Sequence, residues 1–119
     1  KILTKFMIKI YHNPRCRKSR EGLQLLKESK QGYKIIEYLK ETLSFDELKS
    51  IINLLGITPL ELIRKNESIW KKNYKGKELT NDEVIRAMTE HPKLIERPIV
   101  INKEKAIIGR PPENIKYIL

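Results

Sequence analysis

The sequence predicts an α/β domain in which a small mixed sheet is assembled from a strand–helix–strand start, a helical block and a closing strand–strand–helix. Three observations carry that expectation. The hydrophobic period changes from two to about 3.6 and back along the chain. Ser/Thr-x-x-Glu boxes, which mark helix starts, cluster in the middle. The final stretch returns to short β-branched runs punctuated by Asn, Gly and Pro.

Each element has a local reason. Met7 to Tyr11 alternates apolar and polar residues and runs into the turn signal His12-Asn13-Pro14, which reads as a strand entering a loop. Lys18 to about Gln31 reads as a helix carrying Leu23 and Leu26 on one face, stopped by Gly32. Tyr33 to Leu39 reads as a mostly buried strand. Ser44-Phe-Asp-Glu47, Thr58-Pro-Leu-Glu61 and Thr80-Asn-Asp-Glu83 then start three helices, the first closed by Gly56. Trp70 and the stretch to Lys77 form a short helix fraying into a basic loop. Pro98–Ile101 and Ala106–Ile108 make a hairpin across Asn102–Lys105, and Pro111-Pro112 open a last helix with Ile115, Ile118 and Leu119 inward. Tyr11, Tyr33, Tyr38, Tyr74 and Tyr117 are expected to be buried or half-buried. The order βαβ, helical block, ββα is that of a thioredoxin-type sheet with a helical insertion.

With 119 residues, of which 39% are hydrophobic, the chain suits one core. Residues 1–6 are read as an extension and 7–119 as the domain, with Met7 a plausible initiator. No apolar run approaches the roughly 18–20 residues of a membrane span and no signal-peptide pattern is present, so the expected location is the cytoplasm. The 25 Lys+Arg against 15 Asp+Glu give +10, a field that concentrates anions. Lysine supplies most of this diffuse charge, and the seven arginines are few enough to inspect singly. The two histidines, His12 and His91, have no acidic cluster beside them, so no metal site is expected, and no bound cofactor.

Cys16 is the only cysteine, so no disulfide can form within this sequence, which fits a reducing compartment. It sits in His12-Asn-Pro-Arg-Cys-Arg-Lys-Ser19, between the first strand and the first helix. The carboxyl end of a strand feeding a helix is where open α/β sheets bind ligands, and amides at a helix N-terminus favour an anion. Arg15, Arg17, Lys18 and His12 are expected to add to that effect, lowering the thiol's pKa and making Cys16 a nucleophile. Ser19 occupies the place where a dithiol oxidoreductase carries a second cysteine. An adduct on Cys16 must therefore be resolved by another molecule's thiol. Ser19 itself either donates to the thiolate or caps the helix.

Ile10–Cys16 with Ser19-Arg20, Leu62-Ile-Arg-Lys-Asn66, His91–Val100 and Ile108-Gly-Arg-Pro-Pro112 together resemble the glutaredoxin-dependent arsenate reductase family, in order from Met7 to Leu119. The resemblance implies a thioredoxin-like fold. It makes Cys16 the nucleophile, His12 a helper in keeping the thiol ionised, and Arg64, Arg97 and Arg110 the oxyanion ligands. Guanidinium groups suit that task because they grip tetrahedral oxyanions bidentately. The resemblance also places Pro98 where such folds carry a cis proline. Glutathione is the implied co-substrate, glutaredoxin the implied partner, and a monomer the expected state. Family members often have Gly-Thr after the nucleophile, where this chain has Arg17-Lys18.

Three other functions compete with arsenate reduction. Spx-like regulators of the same family bind RNA polymerase, but they commonly use a Cys-x-x-Cys switch that Ser19 breaks. A general thiol–disulfide or glutathione-linked reductase would use the same thiolate without arsenate. Direct nucleic-acid binding would rest on the patch Trp70, Lys71, Lys72, Tyr74, Lys75 and Lys77, which reads more simply as a solvated loop.

Overall fold

A computed structural model describes residues 7–119, and these cluster into two compact units: residues 7–41 with 97–119, and residues 42–96. The second unit is the helical insertion. The expected extension at residues 1–6 lies outside the described residues. Among the described residues no helix is long and apolar enough to cross a membrane.

The first unit holds the sheet. Strand β1 (Ile8–Tyr11) lies second in the order β2-β1-β3-β4, parallel to β2 (Tyr33–Ile36) and antiparallel to β3 (Ile99–Asn102), which pairs antiparallel with β4 (Lys105–Ile108). Alternation in β1 explains its place: Ile8 and Ile10 are buried while Lys9 between them is exposed. The β3–β4 hairpin turns through Lys103 and Glu104, with Lys103 at φ 60°, the left-handed geometry that tight hairpins require. Helix α1 (Arg17–Ser29) buries Ser19, Gly22 and Leu26, one stripe at helical spacing. Leu26 joins Ile8, Ile10, Val100, Ile115 and Ile118 in one apolar cluster, flanked by Leu23, Tyr33 and Ile107.

Four expectations need correction in this unit. Strand β2 ends at Ile36 and, among the described residues, is an edge strand paired only with β1; Lys34 and Ile35 are exposed, so it is not mostly buried. Tyr38 is buried, but from the turn that follows, where Lys40 and Glu41 both donate backbone N–H to Glu37 O. Helix α1 stops before Gly32, because Lys30 takes the left-handed C-cap at φ 61° and donates its N–H to Lys27 O. The closing segment Pro112–Ile118 is a 3-10 helix, and its Tyr117 is 79% exposed because only Ile115 and Ile118 meet the core at that tighter pitch.

Close packing in this unit depends on two glycines. A Cβ at Gly22 would stand 2.8 Å from Pro98 Cγ and 2.9 Å from Ile115 Cδ1. One at Gly109 would stand 2.9 Å from each of the same two atoms. Hydrogen at both positions lets the Pro98 ring and the Ile115 tip seat between α1 and the end of β4.

The second unit is helical, with α2 (Phe45–Leu55), α3 (Ser68–Asn73) and α4 (Asn81–Glu90), plus 3-10 turns at Pro59–Leu62 and Pro92–Leu94. The boxes at Ser44/Glu47 and Thr80/Glu83 close in both directions, at 2.9 and 3.1 Å and at 2.8 and 3.2 Å. At Thr58 the Glu61 carboxylate takes the backbone N–H and the hydroxyl, but a single 3-10 turn forms there in place of the expected helix. That segment leaves helical geometry at Ile63, which bridges Ile95, with Arg64 N–H bonded to Leu94 O and Glu96 N–H to Leu62 O. Leu48, Ile51, Ile52, Leu62, Val84, Ile85 and Met88 fill the interior of this unit. Trp70 is buried and stacks on Tyr74 at 5.3 Å, so the basic stretch beside it offers no open indole for base stacking.

Candidate active site

The site begins where β1 ends. His12 and Asn13 leave the strand buried, and the chain turns through exposed Pro14 and Arg15 to reach Cys16 at the N-cap of α1. Asn13 builds that turn. Its side-chain Oδ1 accepts the Arg15 N–H at 3.0 Å, and its carbonyl accepts the Cys16 N–H at 3.0 Å. Sequence reasoning marked Asn13-Pro14 only as a turn; an Asn whose oxygen can reach the amide two residues on was the signal for this role.

Cys16 has extended backbone geometry, φ −95° and ψ 123°, which suits the N-cap position it occupies. Partial burial pushes the thiol up. The Ser19 backbone amide, a hydrogen bond and charge from Arg97, and the Lys18 backbone amide outweigh that push and leave Cys16 below its usual range. The helix terminus and one guanidinium favour the thiolate form, with Lys18 acting through its amide. Arg17 points outward and pairs with Glu21 at 3.5 Å.

Burial disfavours the charged form of His12. It is only 5% exposed, and burial drives its pKa below the usual value against the pull of Glu37. That shift runs against the charge His12 was expected to add beside the thiol. Its Nδ1 lies 2.7 Å from Ser19 Oγ, and the same hydroxyl accepts the Asn13 N–H at 3.0 Å. The Ser19 side chain is thus engaged by His12 and the Asn13 amide. It ties the end of β1 to the first turn of α1, while the Ser19 amide serves the thiolate.

Arg97 is 9% exposed and precedes Pro98 through a cis peptide bond; Arg110–Pro111 is also cis. The Arg110 guanidinium donates to Arg97 O at 3.2 Å, and Gly109 N–H donates to Pro98 O at 2.8 Å. The first unit thus gathers Cys16, His12, Ser19, Arg97, Pro98 and Arg110. Arg64 belongs to the second unit. There its Nε is buried and lies 3.3 Å from the Glu67 carboxylate. Among the described residues no three His, Cys, Asp or Glu side chains cluster in a way that could hold a metal ion.

The model of the ArsC family matches residues 11–118, nearly the whole chain. The chain belongs to the ArsC family. It is 49% identical over 113 residues to an arsenate reductase of Haemophilus influenzae, covering 92% of this chain and 97% of that one. It is 42% identical over 114 residues to an arsenate reductase of Neisseria meningitidis, covering 94% and 97%. A solved arsenate reductase from Vibrio cholerae superposes with a TM-score of 0.91 at 42% identity, covering 96% of this chain and 98% of that one. ArsC-family membership and the thioredoxin-like fold of these reductases thus agree with the mixed sheet, and with a lone cysteine at the mouth of its first helix.

Proposed function

We propose that this chain is a thiol-dependent arsenate reductase with Cys16 as the nucleophile, glutathione as co-substrate and glutaredoxin as the protein that recycles it. One observation carries the reading: a partly exposed thiol sits at a helix N-terminus where two helix amides and a buried guanidinium lower its pKa.

In the proposed reaction the Cys16 thiolate attacks arsenic(V), and an arsenate oxygen leaves as water after taking up protons. Glutathione thiolate then attacks the Cys16–arsenic adduct. The two sulfurs become a Cys16–glutathione disulfide, their two electrons reduce arsenic(V) to arsenic(III), and arsenite leaves. A glutaredoxin thiol takes the glutathione and restores Cys16. No second cysteine in this sequence can take that resolving step. Arg97 positions the oxyanion over the sulfur and offsets charge as oxygen departs. Arg110 holds the Arg97 backbone and offers further guanidinium donors. Arg64 enters through its Leu62–Asn66 motif alone. His12 and Ser19 position the loop and do not exchange protons with substrate.

The test is an assay of NADPH consumption with glutathione, glutathione reductase and glutaredoxin, with and without arsenate. Arsenate-dependent consumption that Cys16→Ser abolishes is the expected result. A folded wild-type sample that consumes none overturns the proposal. Equal turnover with thioredoxin and its reductase, in the absence of glutathione, would replace the glutathione step with a thioredoxin one.

A further inference from the structure

The loop around Cys16 divides cleanly by burial. His12, Asn13 and Ser19 face inward, whereas Arg15, Arg17, Lys18 and Arg20 are all exposed around the partly exposed thiol. These cations are not used by the mechanism above, which draws on Arg97 and on backbone amides. Two of them are partly occupied. Arg20 donates to Pro14 O at 3.0 Å, and Arg17 pairs with Glu21 at 3.5 Å with side chains 82% and 43% exposed, a weak pairing in water. Arg15 and Lys18 interact only through backbone amides, Arg15 with Asn13 Oδ1 and Lys18 with the Cys16 sulfur. Among the described residues neither side chain has a hydrogen-bond or ion-pair partner.

Any group reacting at Cys16 from solvent meets a loop and first helical turn whose exposed side chains are cationic. Resting on the reading of Cys16 as a nucleophile resolved from outside, we propose that Arg15, Arg17 and Lys18 select the resolving thiol by charge, favouring thiols that carry carboxylates over neutral or cationic ones. The step concerned is attack of the incoming thiolate on the Cys16 sulfur of the arsenic adduct: an S–S bond forms, the S–As bond breaks, and arsenic leaves with the electron pair. Thiol–disulfide exchange at the same sulfur, in which the former partner leaves with the electron pair, is the arsenate-free counterpart that reads the same approach. Charge on the incoming molecule beyond its thiolate decides how strongly the exposed cations draw it in, and salt screens that effect over roughly 8–10 Å at 0.10–0.15 M.

The experiment uses the full chain with Cys16 converted to its 2-thiopyridyl disulfide, whose neutral leaving group absorbs once released. Release rates are measured with mercaptosuccinate, 2-mercaptoethanol and cysteamine. Each is corrected for its thiolate fraction and divided by its rate against a small 2-thiopyridyl disulfide. At low salt mercaptosuccinate should exceed cysteamine by about tenfold or more, the ratio falling toward one in high salt. Arg15→Glu with Lys18→Glu should invert the order, and Arg15→Gln with Lys18→Gln should flatten it. Both pairs are exposed, and far-ultraviolet circular dichroism with thermal melting establishes that each variant is folded. A ratio near one in the wild type, or one that neither salt nor charge reversal alters, overturns the proposal. No arsenate is present, so absent arsenate turnover with charge-ordered exchange would sink only the proposed function, and charge-blind exchange only this inference.

Discussion

Replacing Gly109 by Ala tests whether the seat of the Arg97–Pro98 segment is as tight as its geometry implies. The new methyl would stand 2.9 Å from Ile115 Cδ1, 2.9 Å from Pro98 Cγ and 3.1 Å from Ile115 Cγ1. Overpacking of that kind costs about 1–3 kcal/mol. Ala also narrows the unfolded ensemble, which returns about 0.4–1 kcal/mol. The net expectation is a loss of about 0.5–2 kcal/mol, or roughly 4 °C in Tm per kcal/mol for a chain of this size. Ile115→Val sharpens the test, because it removes Cδ1, one of the two nearest atoms. Alone it should cost about 0.5–1.5 kcal/mol, the loss of one buried methyl. Combined with Gly109→Ala it should cost clearly less, giving a favourable coupling of about 0.5–1 kcal/mol. Urea and thermal unfolding of all four members of the cycle, followed by circular dichroism, read these values. A Gly109→Ala protein stabilised by the entropy effect, or a double variant additive within about 0.3 kcal/mol, would refute the reasoning.

Three further outcomes follow from the site. Arg97→Gln removes the guanidinium and leaves only the Ser19 and Lys18 amides against burial, so the thiolate absorbance midpoint of Cys16 should move up; an unmoved midpoint would mean Arg97 does not hold the thiolate. Ser19→Ala leaves the Asn13 amide and His12 Nδ1 without their buried partner and should lower urea stability by about 1–3 kcal/mol, whereas a change within error would show that the hydroxyl ties nothing. His12 is a base whose folded pKa lies below the ordinary 6.5. Below that pH the unfolded chain binds a proton that the folded one resists, so the contribution is full above 6.5 and is lost as pH falls toward the folded value. His12→Asn should flatten the stability profile in that window, and a profile identical to wild type would contradict a buried neutral ring.

Much of the site was legible because its chemistry is local. A strand ending in His12-Asn-Pro and a helix beginning beyond Cys16 place the sulfur at a helix N-terminus without tertiary information. The boxes at Ser44 and Thr80 likewise depend on residues three apart, and both formed. Less local features were misread. Strand β2 looked buried from its Ile and Tyr content, yet only its edge position decides that Ile35 faces water. Gly32 looked like the helix stop because glycine is the favoured left-handed residue, but Lys30 took that geometry two residues earlier. His12 was expected to favour the charged thiol; burial, which no short stretch of sequence reveals, disfavours its own charged form.

Sequence alone determined the order of elements, the single thiol and the lack of a second thiol within this sequence to resolve it, since these follow from periodicity, caps and a count of one cysteine. Tertiary structure decided which groups hold the sulfur. Arg97, 81 residues further along, contributes charge at Cys16, while the nearby Arg17 turns to Glu21 and the Arg15 side chain points to solvent. The physical reason is that a thiolate is stabilised by charge and amides brought within hydrogen-bond reach, and reach is a property of the fold rather than of distance along the chain.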